Sequence, residues 1–170
     1  MGAWGALIMS FFGAVFVSLT LYWQFHLNHL VLALPFIGFV LIGMAAMLVL
    51  RAPGQPLKPT PREERAIMWS SIGEGIGLLV ISNLVMSLHH PELLLPAMAL
   101  VVGLHFLPIA AAGNFRPFYV LGGALIAVSV TGIITHNGAV AGVAAAACLW
   151  AASLLAIRRD AKARLSSLAA

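Results

Sequence analysis

The chain has 170 residues, of which 62% are hydrophobic and only 8% charged. Its mean hydropathy of +1.03 excludes a soluble globular domain, in which roughly 25% of residues are charged and the apolar surface must fit inside one core. The net charge of +4 does not indicate a nucleic-acid partner, because the basic residues flank apolar runs, where they act as topology signals and contacts for anionic lipid.

Six apolar runs follow one another, at about 3–23, 30–50, 66–88, 93–112, 117–135 and 138–157. Each has about the 20 residues that a helix needs to cross a hydrocarbon core. None alternates with period two, and lipid tolerates no open sheet edge, so helices are expected rather than a barrel. The expected fold is all-α: a polytopic membrane protein, one domain over residues 1–170, built as a bundle of about six transmembrane helices. The first run is not preceded by a positively charged segment, so it reads as a retained span rather than a signal peptide.

The second and third runs are joined by a linker over 51–60 that contains Pro53, Pro56 and Pro59 and is therefore semi-rigid. It ends on Thr60, Pro61 and Glu63, the pattern of a capping box with proline at the first helical position, so the third helix is predicted to begin near 61 and to run to 88. Small residues recur within the spans. Gly73 and Gly77 are spaced as GxxxG, which permits close helix approach within the bundle or between copies in a homo-oligomer. The single cysteine, Cys148, lies inside the sixth run, where it is a packing residue.

The connections sort by charge. Arg51, Lys58, Arg62 and Arg65, then Arg116, then Arg158, Arg159, Lys162 and Arg164 make up all nine basic residues. Six alternating crossings place every one of them on a single face, which the positive-inside rule makes cytoplasmic, with both termini on that side. Trp4, Tyr22 and Trp23 fit interfacial anchors.

Two sets of residues stand out chemically. Glu74 is the one acidic residue deep in a span and His105 the one histidine, and at 1.5 Å per residue both lie about 12 Å from the cytoplasmic ends of their helices. They are expected to meet as a protonatable pair, with Ser71 one turn away from Glu74. Pro108 leaves the Leu104 carbonyl without its helical donor beside His105. Asn114, Arg116 and Tyr119 cluster at the inner mouth. On the outer face, in connections free of Lys and Arg, lie His26, His29, His89, His90, Glu92 and His136. Imidazole and carboxylate are suitable ligands for a divalent transition metal such as Zn²⁺, Cu²⁺ or Ni²⁺, while rings of this kind also suit the headgroup zone or a pH sensor.

The string Gly103-Leu104-His105-Phe106-Leu107-Pro108, with Glu74 before it and Gly122 and Gly123 after it, resembles small uncharacterised bacterial multi-pass inner-membrane proteins. The resemblance covers the third to fifth runs and implies a bacterial inner membrane, but no activity and no functional residue. No phosphate-binding loop, GxSxG or HExxH occurs, which argues against an intramembrane hydrolase. Three functions remain open: a small transporter or channel-like protein using Glu74 and His105; a non-catalytic sensor or accessory subunit with a metal- or pH-responsive outer cluster; and a membrane-embedded enzyme acting on a lipid or quinone.

Overall fold

The computed structural model describes residues 2–168, apart from the side chain of His29. It is all-α, and six of its helical segments are long and apolar enough to cross a membrane. In chain order the helices are α1 (Ala3–Phe25), the single turn α2 (His29–Leu32), α3 (Pro35–Arg51), α4 (Pro61–Ser87), α5 (Leu94–Gly113), α6 (Arg116–Thr135) and α7 (Gly138–Leu168), with a 3₁₀ turn at Pro91–Leu93 leading into α5.

Two of these bounds differ from the sequence expectation. The second run breaks after α2, because Pro35 has no N–H for the helical ladder and restarts the helix as its first residue. The last helix continues to Leu168 rather than stopping near 157, since the Ala-, Arg- and Leu-rich stretch after Ile157 contains good helix formers and no Gly or Pro. The start of α4 is as the sequence predicts: the Glu63 N–H donates to Thr60 Oγ1 at 3.3 Å and the Thr60 N–H to Glu63 Oε2 at 2.6 Å.

The helices pack as a central group with two outriders. α1 lies against α7, α5 against α6, and α6 and α5 both touch α7; α3 lies outside against α1 and α4 outside against α5. Phe16, Leu95, Val102, Leu125 and Leu149 are the large side chains at the centre. Most hydroxyls buried with them are satisfied by their own helices, as where Thr20 donates to the Phe16 carbonyl at 2.7 Å and Ser153 to that of Leu149 at 2.8 Å, whereas the buried Ser129 hydroxyl has no partner. α5 and α6 approach to backbone contact at Gly103 and Gly122, where a Cβ on Gly122 would lie 2.8 Å from the Gly103 carbonyl oxygen. The outriders bury little: Pro35, Gly43 and Ala46 in α3, and Val85 alone in α4.

The linker is fastened to the end of α7 at the basic face. Asp160, 2% exposed, accepts the Ala3 N–H at 2.9 Å on Oδ2 and the Leu57 N–H at 3.3 Å on Oδ1. Arg164, one turn on, donates from Nη1 to the Ala52 carbonyl at 2.8 Å and holds its Nε 3.6 Å from Asp160.

Candidate intramembrane site at Glu74 and His105

α4 carries Glu74 on the face that packs against α5, and α5 carries His105 on the face turned back toward it. The two meet with His105 Nδ1 3.5 Å from Glu74 Oε2, their side chains 8% and 12% exposed respectively. At that separation and geometry no hydrogen bond is formed, and His105 Nδ1 is buried without a hydrogen-bond partner. The imidazole is held edge-on to Phe106, with ring centroids 5.1 Å apart.

The pair can be approached from two sides. Toward the bundle centre it lines a small crevice of about 60 Å³ with Ser71, Ile8, Phe12 and Val102. On the other side it lines a groove of about 330 Å³ between α4 and α5 with Gly73, Gly77, Leu104 and Pro108. The first crevice shares Gly5, Ile8 and Ile67 with a larger groove of about 570 Å³ that opens at the basic face beside Arg51 and Lys58. Its walls are apolar apart from Ser71, Glu74 and His105.

A buried carboxyl beside a buried imidazole has few states open to it. A lone charge on either is costly in a low-dielectric interior, so each group depends on the other, or on a ligand, for a partner. A proton arriving on the orphaned Nδ1, or a polar ligand group placed between the two side chains, would complete what the protein alone leaves open.

Asn114, Arg116 and Tyr119 are exposed at the basic face and do not line either crevice at the pair. Asn114 ends α5 in the left-handed conformation at φ 45°, and Arg116 opens α6. The nearest aromatic contact of a basic residue there belongs to Arg159, whose guanidinium lies 3.8 Å from the centre of the Phe115 ring.

The histidine face is organised by backbone geometry. His26, His89 and His136 have φ of 51°, 57° and 49°, and they follow the ends of α1, α4 and α6, the three helices that rise to that face. Histidine and asparagine are among the few non-glycine residues enriched in this conformation, so these three histidines act first as helix stops. His90 Nδ1 contacts Glu92 Oε1 at 2.8 Å. Hydrogen bonds from its own backbone amide and from His90 hold the Glu92 carboxyl below the usual carboxylate range. Among the described residues no group of three or more His, Cys, Asp or Glu side chains is placed to hold a metal ion; the His29 side chain lies outside the described residues.

Comparison with protein-family models, with curated proteins and with solved structures gives no match. The functional reading therefore rests on the site itself.

Sequence reasoning missed Asp160 and Arg164. The available signal was a single acidic residue within the basic run from Arg158 to Arg164, at i,i+4 spacing from an arginine.

Proposed function

We propose that this protein is a small transporter or channel-like protein in which Glu74 and His105 form a protonatable intramembrane site. The observation that carries the proposal is the meeting of the two groups at 3.5 Å, with an unpartnered Nδ1 and a crevice on either side. A carboxylate placed in a span is costly and marks ion or proton pathways more often than packing. In this reading the basic face is cytoplasmic and the membrane is a bacterial inner membrane. Movement of a solute or ion through the α1–α4 crevice would be coupled to proton exchange on the pair.

The test is flux into proteoliposomes for a series of ions at two pH values, with wild type set against Glu74→Gln and His105→Gln. Loss of pH-dependent flux in both variants is expected. Unchanged flux and unchanged pH dependence would overturn the proposal.

A second reading, an embedded enzyme or binding protein for a lipid or quinone, is favoured by one observation: the crevice at Glu74 is walled by apolar side chains and shares Gly5, Ile8 and Ile67 with the groove between α1, α3 and the linker that opens at the basic face. Glu74 or His105 would then serve as the acid or base toward an amphipathic substrate.

A further inference from the structure

One face of α4 packs on α5; the opposite face is exposed and packs on no other helix among the described residues. That free face presents Trp69, Ile72, Ile76, Leu79, Asn83 and Met86, all exposed. Their spacing alternates between three and four residues along five successive steps, which is the a/d repeat of a left-handed helix pair. Trp69, Ile76 and Asn83 occupy the a positions, and Ile72, Leu79 and Met86 the d positions. Glu74 falls at f, facing away from this seam.

Contact with lipid alone accounts for every member of the stripe except Asn83. Its Nδ2 donates to the Leu79 carbonyl at 2.8 Å, while its side-chain oxygen, one turn inside the end of an apolar helix, accepts from no donor among the described residues. An amide is both donor and acceptor, so two Asn83 side chains across a two-fold axis complement each other. A single asparagine at an a position is also the device that fixes register and a two-stranded state in helix pairs. The flanks are cleared for such an approach: a Cβ added at Gly73 or at Gly75 would meet nothing within 4 Å, and small residues are what let helix backbones draw together in a membrane.

From these observations we infer that two copies of this chain associate through α4, in a parallel left-handed pair with Asn83 bonded to Asn83 across the axis. Two copies inserted in the same sense bring identical residues together at each level, as an isologous contact requires. The seam stops at Trp69, because the next positions, Arg65 and Arg62, set like charges opposite each other. Gly73 both flanks the seam and lines the groove leading to Glu74, so the partner's α4 would run beside the mouth of that groove.

The inference is independent of the transport reading and is tested without any activity. In a Cys148→Ala background, Ile76→Cys and Leu79→Cys are expected to cross-link on oxidation in native membranes. Val120→Cys, on the exposed surface of α6, should not. Energy transfer between donor- and acceptor-labelled copies, followed as lipid is added, should show Asn83→Leu associating about three- to twentyfold more weakly than wild type, in line with measured hydrogen bonds between helices in membranes. Asn83→Gln should retain most of the association. Equal cross-linking at position 120, absence of energy transfer at every lipid ratio, or unchanged association in Asn83→Leu would each overturn it.

Discussion

Replacing Asp160 by alanine tests the fastening at the basic face. The carboxylate accepts two backbone N–H groups, from Ala3 and Leu57, and lies 3.6 Å from Arg164 Nε. Asp160 is 2% and Arg164 6% exposed. The substitution leaves two donors without their acceptor and a buried guanidinium without its counter-charge. Arg164 retains its bond to the Ala52 carbonyl, which compensates only in part. Breaking a buried pair from one side costs about 3–5 kcal/mol, and that range is expected for Asp160→Ala. Asp160→Asn keeps an oxygen for the Ala3 N–H and should cost less, about 1–3 kcal/mol, the range for a weakened buried hydrogen bond. Unfolding of the purified protein in mixed micelles measures the loss. Limited trypsin digestion after Arg51 measures release of the linker, which should be faster in Asp160→Ala. A destabilisation under about 1 kcal/mol, the scale of an exposed ion pair, with unchanged digestion would refute the reasoning.

Gly122→Val should force α5 and α6 apart, because its Cβ would press on the Gly103 carbonyl oxygen, a backbone atom that cannot turn aside; a loss of about 1–3 kcal/mol, typical of overpacking, is expected in the same unfolding assay. His136→Gly should stabilise the protein by up to about 1 kcal/mol by removing a side chain from a left-handed position, and a loss of stability instead would assign the His136 imidazole a role beyond ending α6. The Glu92 carboxyl is held below the usual carboxylate range. Its stabilising contribution is therefore complete above that range and is lost as pH falls through the lowered folded value. Glu92→Gln should remove this part of the acid dependence, and an NMR titration of the carboxyl checks its direction.

Six helices could be read from apolar length, and the start of α4 from Thr60 and Glu63, because both signals are local. The depth of Glu74 and His105 was readable for a related reason: a helix converts residue number directly into height, so two lone polar residues at equal height on consecutive helices were bound to be candidates for contact. What sequence spacing does not carry is rotation about the helix axis and the distant partner. Asp160 sits among arginines that mark topology, and nothing local reveals that its partners are Ala3 and Leu57. The histidine set was similarly opaque. Its restriction to one face was visible, yet the common factor in His26, His89 and His136 is a backbone angle, which residue chemistry only partly predicts.

The packing of α1 on α7 also bears on how the protein is made. Trp150 reaches back 140 residues to the Ser10 carbonyl at 3.0 Å, and Asp160 reaches back 157 to Ala3. During synthesis α1 enters the bilayer long before the helix that covers it has been translated. Until then its Ser10, Gly13 and Thr20 surface must be sheltered by lipid or by the insertion machinery. Completion of the bundle therefore waits on the ribosome, and a chain halted before α7 leaves α1 an unfinished helix for quality control to find.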